Sequence, residues 1–255
     1  FFRSDRIEWT ASLFPFVAGI NYTLLYLFCI KRRFGEALRD EELRLYAGLF
    51  LACALAVTGI LHYADGLPLA DALRSAAFNT ASMQSTTGFT DEDFMTWHPT
   101  TWLLLTFVSM FGACAGSTSG GLKCVRLLML WKLTRAEFRQ MLHPHAVLPT
   151  RIGGVTVTPQ MGRTLLAFFT VYALLVVLSA IAMSVMDLPL LDAFGLAITS
   201  FSNIGPNVGH VVGPLSSWSS LNDATLWLTS FLVLAGRLEI FSLLLPLTPA
   251  FWRDE

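Results

Sequence analysis

The sequence has little charge. Only 14% of its 255 residues are charged, whereas 54% are hydrophobic. The apolar residues fall in blocks too long for the strands of a soluble core. Two of these blocks, 45–63 and 164–186, carry no formal charge over 19 and 23 residues, which is enough for a tilted helix to cross a bilayer. A soluble globular fold is therefore excluded, and the expected fold is an all-α integral membrane protein.

Cysteine is also scarce. The four cysteines lie in apolar runs without a CxxC pair: Cys29, Cys53, Cys114 and Cys124. This excludes a disulfide framework and a cysteine-ligated zinc site. The net charge of -1 gives no sign of a nucleic-acid partner, and we expect none, nor a covalently bound cofactor. The chain lacks an initiator Met and a signal peptide, which favours a longer protein of which this is a part.

A short, mostly uncharged segment, 69–84, is about half a bilayer long at helical rise. The small and polar residues Ser85-Thr86-Thr87-Gly88-Phe89-Thr90 follow it. Non-helical backbone at membrane depth must face protein or water. Gly88 would let carbonyls point inward, where they replace the water around a cation. The pattern predicts a re-entrant pore loop, with an ordinary polar loop as the alternative.

A second copy of this pattern favours the pore loop. Segment 190–202 is again short and apolar, and residues 75–88 align without gaps with 192–205 at a constant offset of 117. The repeated unit is a span, a re-entrant helix, a glycine turn and a span. The predicted divisions are a preceding helix with a cytoplasmic linker (1–44), a repeat (45–135), a second linker (136–163) and another repeat (164–255).

The distribution of basic residues predicts the topology. Segments 31–44 and 132–163 hold five Lys or Arg each, whereas 64–100 holds only Arg74 and 187–223 holds none. The positive-inside rule places both glycine turns on the outer side. The acidic run Asp91-Glu92-Asp93 would then attract cations near a pore mouth, or be a solvated loop.

Three further apolar blocks complete the predicted spans. Block 11–30 is expected to cross the membrane, and 224–247 is expected to be the last span. Block 102–129 is interrupted by ten small residues, 112–121, which have low helix propensity and must face protein or water. The motif His143-Pro144-His145 is expected to be a loop and not a metal site.

Arg237 lies well inside the last apolar block. An arginine at mid-span costs at least ~2.5 kcal/mol, so it is expected to face a bundle interior. Glu239 is two residues away and points to another side of the helix, which makes it a poor partner. Arg237 would repel ions below a cation filter, tether segment 112–121, or form a structural pair with a neighbouring helix.

Together these motifs resemble the Trk/Ktr/HKT superfamily of potassium transporters. The resemblance is carried by Ser85 to Phe89, Gly112 to Lys123, Asn203 to Pro206 and Gly236 to Phe241, and the ending Leu247 to Trp252 resembles the TrkH branch. The family has four span-loop-span repeats around one pore. The resemblance implies that this chain contains the last two repeats, and that 11–30 is the final helix of the second.

The resemblance also implies functional residues and partners. The filter would be formed by Thr86, Thr87, Gly88, Phe89, Asn203, Ile204, Gly205 and Pro206. Potassium ions in transit would be bound at Thr86, Thr87, Gly88, Asn203, Ile204 and Gly205. The gate would be formed by Gly112, Gly116, Ser117, Thr118, Ser119, Gly120 and Gly121, with Arg237 beneath the filter. The expected setting is a bacterial cytoplasmic membrane, with lipid, a homodimer and a nucleotide-binding regulatory ring (TrkA-like) as partners.

Two other functions are considered. A secondary carrier would use broken helices and Arg237 to bind a small anionic substrate near the midplane. Two filter-like turns on one side of the membrane argue against it. A membrane-embedded enzyme would need a nucleophile with a base, or a ligand cluster, at membrane depth. The sequence shows no such set, so we expect no enzyme.

Overall fold

The computed structural model describes residues 4–143, 150–238 and 240–252. Within these ranges the chain is almost entirely helical. The α-helices are α1 (Asp5–Ala18), α2 (Tyr22–Cys29), α3 (Phe34–Ala37), α4 (Glu41–Tyr63), α5 (Leu69–Gln84), α6 (Pro99–Met110), α7 (Cys124–Leu142), α8 (Pro159–Val185), α9 (Leu190–Ser202), α10 (Asp223–Arg237) and α11 (Ile240–Leu244). A two-stranded antiparallel hairpin, β1 (Arg151–Ile152) and β2 (Val155–Thr156), lies between α7 and α8. Short 3-10 turns cover Phe94–Thr96, Trp218–Ser220, Leu245–Leu247 and Pro249–Trp252.

Two helices in the described ranges, α4 and α8, are long and apolar enough to cross a membrane. Their outward faces carry large apolar side chains that are more than half exposed, such as Leu55 on α4 and Leu178 on α8. In water such faces would be costly, whereas lipid solvates them. The helices therefore have the length and the surface of membrane spans.

The short helices α5 and α9 begin and end at the residues that the sequence predicted. Each starts after a proline, Pro68 or Pro189, whose missing N–H is not needed at a helix start. α5 packs against α4 and α6, and α9 packs against α8 and α10. Each short helix is thus enclosed by neighbouring helices, with a largely buried C-terminal half.

The first apolar block, 11–30, which the sequence predicts to cross the membrane, forms two helices and not one continuous helix. α1 and α2 are bent by 108° at the break between them. The backbone groups freed at this break bond to segment 112–121: Gly19 accepts from the Cys114 N–H at 3.0 Å, and the Tyr22 N–H donates to Gly116 at 3.2 Å. The break therefore exists because a distant segment supplies its hydrogen-bond partners.

The last predicted span, 224–247, is likewise not one continuous helix. α10 ends at Arg237, Leu238 caps it, and α11 starts only at Ile240. Arg237 is thus the last residue of a helix and not a mid-helix residue. A cation at a helix C-terminus interacts favourably with the helix dipole. Glu239 lies outside the described residues.

Arg74 joins α1 to α5. Its guanidinium lies 2.8 Å from the Asp5 carboxylate, 2.6 Å from Glu8 and 3.0 Å from Asp71. Three carboxylates around one arginine fix the start of α1 beside the start of α5. α1 therefore packs along α5. It runs from the Arg74 contacts at its own N-terminal end to the break at Gly19.

Candidate functional site: two glycine turns above an intramembrane loop

The turns that follow α5 and α9 have the same hydrogen bonds. The Thr87 N–H donates to Ser82 at 3.0 Å, and the Ile204 N–H donates to Thr199 at 3.1 Å. The side chains of the two acceptor residues then close each turn. The Ser82 hydroxyl donates to the Phe89 carbonyl at 2.6 Å, and Thr199 donates to the Pro206 carbonyl at 3.1 Å. All these pairs are 117 positions apart, which is the offset found in the sequence.

The backbone angles of the two turns also correspond. φ is +56° at Thr86 and +76° at Gly88, and it is +61° at Asn203 and +108° at Gly205. Asn and Gly tolerate positive φ, but a β-branched residue such as Thr does so rarely. Thr86 therefore stores strain of about 1–3 kcal/mol, which the surrounding contacts must offset.

The two turns touch each other. A Cβ added to Gly88 would overlap the carbonyl oxygen of Ile204 and lie 3.2 Å from Pro206 Cδ. Ile204 and Val208 also belong to the apolar cluster formed by α4, α5 and α6. The turns therefore lie side by side, at the same end of the short helices that carry them.

The ten-residue segment 112–121, here named the intramembrane loop, lies directly against both turns. The Gly120 N–H donates to the Thr86 hydroxyl at 2.8 Å. A Cβ on Gly120 would lie 2.7 Å from the Ser202 carbonyl and 2.9 Å from Asn203 Cβ. Small residues are required here because the loop and the turns approach at backbone distance.

Two basic side chains and a close helix contact also hold the loop. The Arg237 Nη1 donates to the Thr118 carbonyl at 3.0 Å, a contact that fits the tether, which is one of the three alternatives raised from the sequence. The Lys123 Nζ donates to the Ser119 carbonyl and, at 3.1 Å, to its hydroxyl. Gly236 contributes close packing, since a Cβ there would overlap the Phe201 carbonyl.

A cavity of about 270 Å³ lies beneath the loop. Loop residues 117–121 line it on one side, and the basic side chains of Lys123, Arg126 and Arg237 border it. The Arg126 guanidinium stacks on the Phe168 ring at 4.0 Å. The three basic groups thus border the same cavity as the loop.

The acidic run that follows the first turn has structural partners. Asp91 Oδ1 accepts from Asn79 Nδ2 and from the Glu92 N–H, both at 2.9 Å, and Asp93 caps the 3-10 turn that starts at Phe94. Desolvation and the nearby Asp91 raise the pKa of the Glu92 carboxyl, against a hydrogen bond with Ser75 that lowers it. The prediction that this run attracts cations stays a prediction.

Sequence reasoning missed two buried carboxylates. Asp192 is 1% exposed, and its side chain accepts from the Val211 and Val212 N–H groups at 2.8 Å, which fixes the chain after the second turn. Glu42 is 8% exposed and accepts from Ala115 and Val125 in and beside the loop. No local signal marks either residue. Their positions in α9 and α4 acquire meaning only through partners distant in sequence.

The described residues contain no group of three or more His, Cys, Asp or Glu side chains that could hold a metal ion. His145 lies outside the described residues. The polar groups that meet at the turns are main-chain carbonyls and hydroxyls, which suit a weakly bound, desolvated alkali cation.

Comparison with known families decides the classification. The model of the TrkH family, described as a cation transport protein, matches residues 1–252. The chain belongs to the TrkH family. This confirms the predicted superfamily and the predicted all-α membrane fold.

Individual TrkH-family relatives agree. The chain is 33% identical to the Trk system potassium uptake protein TrkI of Halomonas elongata over 99% of its length, and 31% identical to TrkH of Salmonella typhimurium over its whole length. It covers 51% and 52% of these proteins, so it spans about half the length of the curated relatives it matches. The crystal structure of the potassium transporter TrkH from Vibrio parahaemolyticus superposes with a TM-score of 0.91 at 32% identity, over 99% of this chain and 54% of that one.

Proposed function

We propose that this chain forms half of a potassium uptake pore in a bacterial cytoplasmic membrane. Loop carbonyls at the two turns would dehydrate the ion, and the intramembrane loop with Arg237 would hold it back. Relatives with the matched sequence are named as potassium uptake proteins. In the complete protein, the remaining two turns of a four-fold pore would come from the half that the relatives have in addition.

One observation carries this proposal. Two turns with matching positive φ values lie in contact, Gly88 against the Ile204 carbonyl, and both meet one loop of small residues. A carrier has no need for paired turns of the same geometry at one end of the molecule. A filter requires them, because several carbonyls must replace a hydration shell around one axis.

The residues take the following roles in the proposal. The filter residues are Thr86, Thr87, Gly88, Phe89, Asn203, Ile204, Gly205 and Pro206. The gate is the intramembrane loop, and Arg237 keeps it under the turns through Thr118. A homodimer and a nucleotide-binding ring remain predicted partners.

Filter and carrier are distinguished by ion selectivity. The longest gene product that contains this chain is reconstituted in liposomes, and uptake of rubidium and of sodium is measured. Gly205→Ser is the preferred variant, because no atom lies within 4 Å of the added Cβ. We expect the preference for rubidium over sodium to fall by about tenfold, equivalent to about 1.4 kcal/mol.

Gly66→Ser is the matched control, since this exposed glycine also has a positive φ, +71°, and open space around it but lies between α4 and α5, outside the two turns. Its selectivity should equal that of the unmodified protein. Unchanged selectivity of Gly205→Ser would contradict the filter. Uptake that depends on Arg237 but not on Gly205 would instead favour the carrier.

A further inference from the structure

The start of α4 holds the intramembrane loop through one carboxylate. Glu42 Oε1 accepts from the Ala115 N–H at 2.7 Å and from the Val125 N–H at 2.9 Å. Ala115 lies in the middle of the loop, and Val125 lies in the first turn of α7. One oxygen atom therefore joins the two ends of the stretch 115–125, which includes the residues packed under the turns.

Glu42 also supplies what α7 lacks. The residue that precedes α7, Lys123, makes no side-chain cap, so the first N–H groups of this helix depend on partners from elsewhere. A carboxylate at this position satisfies a free N–H and interacts favourably with the positive end of the helix dipole. The start of α7 and the loop are thus fixed by the same charged group.

The neighbouring Glu41 binds α7 at a second point, in the middle of the helix. Its carboxylate lies 2.6 Å from the Lys132 Nζ and accepts from the Gly153 N–H at 3.3 Å. Lys132 also donates to the Arg151 carbonyl at 2.7 Å. The β1–β2 hairpin, the middle of α7 and the loop are therefore all bonded to the first turn of α4.

We infer that Glu42 is the positioning residue that keeps the intramembrane loop beneath the two turns. This inference rests on the proposed gate. Withdrawal of the Glu42 carboxylate breaks the bonds to Val125 and Ala115 together, because they share one acceptor. The loop is then released on the α4 side, while Arg237 and Lys123 still hold its other side.

The test uses the longest gene product in liposomes, with rubidium flux as the first readout. Glu42→Ala removes both bonds, and we expect flux to rise about tenfold, equivalent to about 1.4 kcal/mol of closed-state preference. Glu42→Gln keeps an acceptor without the charge. Because charge-assisted bonds are roughly twice as strong as neutral ones, about a threefold rise is expected. Selectivity for rubidium over sodium should stay unchanged in both.

A second readout separates positioning from mere stabilisation of the fold. Thr118→Cys, in a Cys29→Ser background, is labelled with a membrane-impermeant thiol reagent. Glu42→Gln should speed labelling by about the same threefold factor as the flux, since both report how often the loop leaves its site. A folded Glu42→Gln protein with unchanged flux and unchanged labelling would overturn the inference, even if Glu42→Ala fails to fold.

Two further variants complete the design. Glu36→Gln is the matched control, because this exposed glutamate pairs only with nearby Arg33 among the described contacts; an equal rise there would overturn a specific role of Glu42. Arg237→Ala tests the gate itself. If it raises flux and the Glu42 variants do not, only the inference fails. If neither raises flux, the gate fails as well.

Discussion

The turn after α5 and the turn after α9 share their hydrogen bonds and backbone angles, but their glycines have different surroundings. A Cβ on Gly88 would overlap the neighbouring turn, whereas a Cβ on Gly205 would meet open space. Gly88 is therefore required by its conformation and by its contact, and Gly205 by its conformation alone. A repeated sequence thus encodes the same turn twice without giving the two copies the same environment.

The residues two positions before the glycines, Thr86 and Asn203, differ in backbone strain. Asn203 adopts positive φ readily, whereas Thr86 is strained there. Among the contacts of the described residues, Thr86 receives a hydrogen bond from the intramembrane loop, from the Gly120 N–H, and Asn203 receives none. The strained copy is thus the copy that is bonded to the loop.

The largest difference is expected for alanine at the two glycines. Gly88→Ala adds about 1–3 kcal/mol of backbone strain and about 1–3 kcal/mol of overlap with Ile204. Gly205→Ala adds only the strain. The apparent unfolding temperature of the detergent-solubilised protein should therefore fall clearly further for Gly88→Ala. Equal decreases would show that contact between the turns contributes nothing.

A smaller effect is expected at Thr86. Thr86→Val keeps the shape but leaves the Gly120 N–H without an acceptor, at a cost of about 1–3 kcal/mol. Hydrogen exchange at the Gly120 N–H should accelerate. The stability of the protein should fall less than in Gly88→Ala, because Thr86→Val loses one hydrogen bond and introduces no overlap between atoms. Thr86→Ser keeps the hydroxyl and is the control. Exchange that is equally fast in Val and Ser variants would rule out this bond as a restraint on the loop.

The smallest effect is expected where the turns agree. Ser82→Ala and Thr199→Val each remove one hydroxyl bond that closes a turn. Each should cost about 1 kcal/mol of stability, with a nearly equal shift in the unfolding temperature. If only one of the two variants shifted the unfolding temperature, the two hydroxyl bonds would contribute unequally to stability despite their matching geometry.

The sequence predicted those elements whose causes are local. The short apolar runs and the glycine turns predicted the bounds of α5 and α9, and the small residues of 112–121 predicted the interruption after α6. The family motifs identified the turns. Ion conduction along these turns stays a proposal.

The elements that the sequence did not predict have distant causes. The break after α1 depends on hydrogen bonds from Cys114 and to Gly116, about 95 positions away. The capping role of Glu42 depends on Ala115 and Val125, 73 and 83 positions away. In a linker with four acidic and five basic residues, one buried glutamate looks the same as its solvated neighbours.

The bond between Gly120 and Thr86 has a thermodynamic consequence. Because it connects the loop to the side chain of a turn residue, the free energies of ion occupancy in the proposed filter and of loop displacement would be linked. In the proposed pore, any change in the ion affinity of the turn on loop displacement would be matched by an equal effect of a bound ion on the position of the loop. The permeating ion would in that sense be an effector of its own passage.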